Sequence, residues 1–257
     1  MTPPTINLNA DLGESFGAWR MGDDAALLQV IGSANIACGF HAGDPVVMRE
    51  TVRLALANGV SLGAHPAFPD LQGFGRRAMQ LSVKELEATI LYQVGALQAM
   101  AAAEGGRVTH VKPHGALNNI ACADANVAAT VARAVRALDR ELILLAPALS
   151  ALEAAGEAAG LRVGREVFAD RSYQADGQLT PRSQPGAVLH DAQACVQHVL
   201  RMLDAGGIVT ADGQRLPTPI HSICVHGDGP DAVASAQQIR LALEKAGFQL
   251  APLTALV

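Results

Sequence analysis

The chain has 257 residues, half of them apolar, 17% charged and 4% aromatic, and its 19 basic and 24 acidic residues leave a net charge of −5. A chain of this length can bury roughly 70–75% of its unfolded surface, and its wealth of Ala, Leu and Val excludes a disordered protein. No apolar run approaches the roughly 20 residues of a membrane span, no Lys or Arg precedes Arg20 to mark a secretory leader, and no basic block is present to follow a nucleic-acid backbone. Cys38, Cys122, Cys195 and Cys224 lie far apart without a C-x-x-C pair, the pattern of reduced thiols. The expectation is a soluble cytoplasmic protein with neither membrane nor nucleic acid as partner.

In chain order, short β-rich runs alternate with Ala/Leu-rich helical stretches. The runs are Ile6–Asp11, Ala34–Gly39, Ser61–Ala64, Thr109–Lys112, Leu142–Ala146, Glu166–Ala169 and Ser222–Val225, with a weak eighth at Phe248–Pro252. Asp44 before Pro45 reads as an N-cap and first-turn proline, with Gly59 closing that helix. Ser82 with Glu85 forms a capping box ahead of Leu86, Ile90, Val94 and Leu97 at helical spacing, and Gly105 stops the run. Asp124 precedes a helix from Val127 to Leu138, Asp191 one that ends at Gly206, and Pro230 opens a last helix that stops at Gly247. This alternation predicts a parallel sheet with right-handed crossovers. Seven or eight such units fit a closed (β/α) barrel better than an open doubly wound sheet. No stretch reads as a linker, so residues 1–257 are expected to form one domain, with the segment Leu179–Ala187 a long loop over one face.

In either architecture the loops at the carboxyl ends of the strands build the site, and the ionisable residues fall there. Asp11 and Glu14 follow the first strand, His41 and Asp44 the second, His65 ends the third, Lys112 and His114 the fourth, Asp170 and Arg171 the sixth, and His226 and Asp228 the seventh. Asn7, Asn9 and Asp11 share one face of the first strand by its period of two, so Asp11 is expected in a polar pocket. Lys112 sits beside Val108 and Val111 and cannot be left buried and unpaired. It faces a carboxylate partner or an anionic substrate, and the substrate is the favoured reading. Asp44 and Asp228 each serve equally as plain caps, and His198, on a helix, reads as structural.

Several motifs can be weighed. Gly13-Glu14-Ser15-Phe16-Gly17 matches G-x-S-x-G, but the helical pattern waits until about Asp23, too late for a nucleophile elbow. Gly73-Phe74-Gly75-Arg76-Arg77-Ala78 resembles a dinucleotide fingerprint but follows no strand. His110 and His114 lie on an extended segment, about 13 Å apart and too far to share an ion. No lysine follows a glycine, so the chain has no P-loop.

Asn9-Ala10-Asp11-Leu12-Gly13-Glu14, Asn35-Ile36-Ala37-Cys38-Gly39-Phe40-His41-Ala42-Gly43-Asp44-Pro45, Gly63-Ala64-His65-Pro66, Val111-Lys112-Pro113-His114-Gly115-Ala116-Leu117 and Val225-His226-Gly227-Asp228 are long, unusual blocks. With them the chain resembles the LamB/YcsF family from its first strand to its last helix. The resemblance implies a (β/α) barrel akin to the glycoside hydrolase/deacetylase superfamily. It also implies a role as the A component of a bacterial ATP-dependent 5-oxoprolinase, a hydrolase that converts 5-oxo-L-proline to L-glutamate as ATP, with Mg, becomes ADP and phosphate. The 5-oxoprolinase subunits B and C are implied with it as partners. On this reading Asp11, His41, His65, Lys112 and His226 are the candidate catalytic residues, and Glu14, Asp44, His114, Arg171, Arg182 and Asp228 the candidate substrate-binding ones. Two alternatives are a metal-dependent amide hydrolase or deacetylase using Asp11, His41 and His65, and a non-catalytic member of the complex.

Overall fold

The computed structural model describes residues 3–226 and 232–257. Its first strand, β1 (Thr5–Leu12), carries Ile6, Leu8, Ala10 and Leu12 on one face and Asn7, Asn9 and Asp11 on the other, all buried except the partly exposed Asp11. A strand buried on both faces needs cover on both. Helices cover the apolar face, and the polar face turns inward. Five further parallel strands follow in spatial order: β2 (Ser33–Ala37), β3 (Ser61–His65), β4 (Val108–Val111), β5 (Ile143–Pro147) and β6 (Arg162–Phe168). A hairpin of β7 (Gly207–Val209) and β8 (Arg215–Pro217) precedes β9 (Ser222–Val225), which pairs with both β6 and β1. Asn7 lies opposite Ser222 and Ala10 opposite Val225, so the sheet closes on itself as a seven-stranded barrel. Closure sets aside the doubly wound sheet. The eighth expected unit shrinks to β10 (Gln249–Leu250), which pairs with the start of β1 outside the ring.

The crossovers are α1 (Asp24–Leu27), α2 (Pro45–Ala57), α3 (Val83–Ala103), α4 (Gly115–Ala123), α5 (Ala125–Leu138), α6 (Ala151–Ala158) and α7 (Ala192–Ala205), and α8 (Ala232–Lys245) follows the last barrel strand. Their starts obey local chemistry. Asp44 accepts from the amides of Val46 and Val47, Ser82 and Glu85 form the capping box, and Asp124 and Asp191 cap α5 and α7. Pro230, the expected opener of the last helix, lies outside the described residues. None of the helices described is long and apolar enough to cross a membrane.

The barrel interior is polar where hydrocarbon would be usual. Asn7 Nδ2 donates to Ser33 Oγ at 2.9 Å, Ser222 Oγ donates to Asn7 Oδ1 at 2.7 Å, and Asn9 Nδ2 donates to Ser222 Oγ at 2.7 Å and to Glu166 Oε1 at 2.9 Å. Asn35 Nδ2 donates to Asn9 Oδ1 at 2.7 Å, and His110 Nε2 lies 3.1 Å from Asn35 Oδ1. Each amide and hydroxyl finds its partner on another strand, which offsets the cost of its burial. His110 reaches Asn35 only because β3 presents Gly63 between them: a Cβ there would lie 2.1 Å from the imidazole Nε2. Below this layer Leu253, in a C-terminal 3-10 turn (Leu253–Ala255), packs with Ile143 and Leu145 and seals the amino ends of the strands. The carboxyl ends stay open.

Candidate functional site

Two backbone approaches bring the strand-end loops together. Gly43, at φ +78°, lies where a Cβ would meet the carbonyls of Ala37 and Gly13 at 2.8 Å, so the loops after β1 and β2 touch main chain to main chain. Gly115, at φ +56°, packs in the same way on the carbonyl of Gly75 at 2.6 Å. Glu14, His41 and His114 are thereby gathered beside His65 at the end of β3. A cavity of about 580 Å³ opens over them, lined by Asp11, Glu14, His65, Lys112, His114 and His226 among others.

Lys112 is 2% exposed, and its ammonium lies 2.9 Å from Asp11 Oδ1, 3.1 Å from Glu166 Oε1 and 3.1 Å from Cys224 Sγ. An ammonium has three protons, and these partners use them all. The favoured expectation, that Lys112 holds an anionic substrate, gives way to the carboxylate alternative, because two buried acids are within reach. Burial alone would lower the pKa of Lys112, but Asp11, the Cys224 sulfur and Glu166 hold it well above the usual lysine value. Burial likewise works to raise the pKa of Asp11, and His65 and Lys112 outweigh it, holding the carboxyl well below the usual range. For Glu166 burial prevails over Lys112 and raises the pKa. The cluster therefore runs as an ionised Asp11 and ammonium, with Glu166 the acid that protonates first.

His226 and Asp170 form a second pair: His226 Nδ1 lies 2.8 Å from both carboxylate oxygens. Burial pulls His226 down, but the charge and hydrogen bond of Asp170 raise its pKa above 6.5. The opposite holds for His41 and His114, which burial first and neighbouring imidazoles second hold well below 6.5. Among the described residues, two groups of donor atoms lie within 4.8 Å of one another: Glu14, His41, His65 and His114, and Asp11, Cys224 and His226.

Other expected residues fall as follows. Arg171 is buried and braces the loop after β6, donating to Thr180 O at 2.6 Å and Ala187 O at 3.2 Å, while Arg182 on that loop is exposed and lines the cavity. His41 lies behind the cavity wall, stacked on His114 with centroids 3.8 Å apart. Asp44 lies outside the lining, and its carboxylate accepts from the amides of Gly17, Val46 and Val47, the arrangement of an N-cap. Asp228 lies outside the described residues. Ser15 accepts from Met21 N at 3.0 Å within its own turn and is absent from the lining, in keeping with its rejection as nucleophile. The segment Gly73–Ala78 supplies Phe74 O to His114 Nε2 at 2.8 Å and Arg76 to the cavity.

Glu166 and Arg76, at the Lys112 cluster and the cavity wall, are not among the residues the strand ends point to, and Asp170, which is, carries no role in that reading. Glu166 carries a legible signal, an acid within a β-run, which is the logic that singles out Lys112. Asp170 stands at a strand end, but nothing in the sequence joins it to His226, 56 residues away.

The profile of the LamB/YcsF family matches residues 6–257, the whole barrel and both halves of the cavity wall. The chain belongs to the LamB/YcsF family. This LamB/YcsF chain is 68% identical over 245 residues to the A component of 5-oxoprolinase from Azoarcus sp., with 95% of this chain and 96% of that one covered. It superposes with a TM-score of 0.90 and 45% identity on the crystal structure of the lactam utilization protein from Thermus thermophilus, covering 96% of this chain and 99% of that one. The barrel is also similar to the catalytic domain of a peptidoglycan N-acetylglucosamine deacetylase from Eubacterium rectale, at a TM-score of 0.52 and 11% identity, covering 97% of this chain and 88% of that one. That last likeness is one of fold alone.

Proposed function

We propose that this LamB/YcsF chain is the A component of an ATP-dependent 5-oxoprolinase, a cytoplasmic hydrolase that acts with subunits B and C and opens 5-oxo-L-proline to L-glutamate. The carrying observation is the 68% identity to a protein of that name along 95% of the chain, in a barrel whose strand ends present acids, imidazoles and guanidinium groups to one cavity.

A lactam amide is a poor electrophile, and its nitrogen is a poor leaving group until it is protonated. ATP solves the first problem by placing its γ-phosphoryl group on the lactam oxygen, with ADP released. Water then adds to the activated carbon and the C–N bond breaks as the ring nitrogen takes a proton, leaving an acyl phosphate that a second water hydrolyses to glutamate and phosphate. His226 suits both proton transfers. Asp170 holds Nδ1, the imidazole borders the cavity, and the charge and hydrogen bond of Asp170 raise its pKa above the usual imidazole value. Arg182 and Arg76, both exposed at the cavity wall, complement the substrate carboxylate and the phosphorylated oxygen. Lys112 acts through Asp11, keeping that carboxylate ionised and aimed. Since the sequence has no P-loop, the partner subunits supply much of the ATP handling, with Mg.

Reconstitution of this chain with its two partner subunits tests the reading. Glutamate and ADP are expected to form together from 5-oxoproline and ATP, only when all three are present. No turnover by any combination of the three overturns it.

A further inference from the structure

His65 Nε2 and His114 Nδ1 face each other at 3.0 Å. On each ring the other nitrogen is taken by a main-chain carbonyl: His65 Nδ1 lies 2.7 Å from Lys112 O, and His114 Nε2 lies 2.8 Å from Phe74 O. A carbonyl only accepts, so those outer nitrogens carry the hydrogens, and a neutral imidazole has one. The two facing nitrogens therefore both present lone pairs. Glu14 Oε1 lies 3.5 Å from His114 Nδ1, and Asp11 Oδ2 lies 3.3 Å from His65 Nε2, so two carboxylates stand beside the facing nitrogens. Such a convergence needs a cation at its centre.

We propose that Glu14 Oε1, His65 Nε2 and His114 Nδ1 bind one divalent transition-metal ion of the zinc class, with a remaining coordination position open to the cavity. Donors on a tetrahedral ion with bonds of about 2.0–2.1 Å stand roughly 3.3 Å apart, a value bracketed by the 3.0 and 3.5 Å separations seen. Anchoring each ring through its far nitrogen to a carbonyl is the outer arrangement that metal-ligating histidines use. Glu14, His65 and His114 all line the cavity, whereas His41 does not. The His41 ring is stacked on His114 at an interplanar angle of 8°, so its lone pairs run parallel to those of His114 and do not converge with them. His41 Nε2, 3.1 Å from Glu14 Oε1, instead donates to the carboxylate and orients it. Two imidazoles and one carboxylate suit zinc or its first-row neighbours better than magnesium or calcium, which favour all-oxygen sets.

The second donor group, Asp11, Cys224 and His226, carries no ion on this argument. The Lys112 ammonium already sits between Asp11 and Cys224, so that position has its positive charge. The metal inference stands on the geometry of the imidazole cluster and not on the substrate proposed above. A proton shared by His65 and His114 would satisfy the same lone pairs without a metal, and the experiment separates the two.

The full-length chain, purified without chelators, is dialysed against Co²⁺ and desalted, and its cobalt content and visible spectrum are recorded. One cobalt per chain with ligand-field bands is expected. Glu14→Gln, which preserves shape, and His114→Ala should each abolish the bands, and His41→Ala should retain them while weakening binding roughly 10–100-fold. Far-ultraviolet circular dichroism shows which variants are folded, and Glu14→Gln alone decides if His114→Ala is not. Absence of bound cobalt in the wild-type chain, as a shared proton requires, overturns the proposal, as does wild-type affinity in folded Glu14→Gln. Glutamate formation by the reconstituted complex is measured separately, so loss of the metal assignment and loss of the 5-oxoprolinase assignment remain distinct results.

Discussion

Lys112 shows how one buried charge organises its surroundings. Its ammonium neutralises Asp11 and is shared with Glu166, and removal would leave two acids in a site from which water is largely excluded. Lys112→Met is expected to destabilise the fold by about 3–5 kcal/mol, because breaking a buried ion pair strands its partner. Adding Glu166→Gln should recover part of that loss in a urea titration, since the second acid is then neutral; no recovery would refute the coupling. The Asp170–His226 pair makes a prediction with a sign. The pKa of His226 is raised in the fold, so its share of stability is full below about 6.5 and is lost as pH rises through the higher folded value. Asp170→Asn should therefore cost more stability at pH 6 than at pH 9. In the reconstituted complex it should also move the acid limb of the rate profile, where His226 must be neutral to act as base, to lower pH.

Elements are placed by small features at their ends and by one gap in a strand. Asp44 makes its three hydrogen bonds to the start of α2 and to the loop at Gly17. Asp44→Ala should cost about 1 kcal/mol of thermal or chemical stability and leave kcat of the complex unchanged, the outcome that separates a cap from a substrate ligand. Gly63 leaves the space that the His110 ring crosses to reach Asn35. Gly63→Ala is expected to destabilise by about 1–3 kcal/mol or more, as overpacking does, and the measurement is a denaturation midpoint. Capping chemistry is readable from the sequence for α2, α3, α5 and α7 because it lies within three or four residues of chain. The helix α4 is not, since its N-cap, His114, makes no side-chain cap hydrogen bond. For α6 the signal is present in Ser150, which accepts from Glu153 N at 3.1 Å, but the neighbouring apolar run with Pro147 obscures it. The hairpin β7–β8 has strands of three residues, too short for any alternation to stand out.

At the scale of the whole molecule, the barrel separates a sealed end from an open one. Leu253 is fully buried against Ile143 and Leu145, a small apolar cluster apart from the main core. Leu253→Ala should cost about 2–5 kcal/mol without changing cobalt binding at the opposite rim, a result readable from parallel denaturation and metal titrations. The β/α alternation, the caps and the placement of Asp11, His65, Lys112 and His226 at strand ends were all determined by the sequence alone, because strand period, turn residues and helix starts are local properties. Only the tertiary structure decided that the ring closes at seven strands through β9 on β1, that the ammonium of Lys112 is engaged by Asp11 from 101 residues away, and that His65 and His114 turn their lone pairs on each other. Those outcomes depend on which strands become neighbours and on how closely glycine lets two loops approach, and such pairings between distant parts of the chain leave no periodic trace in its order of residues.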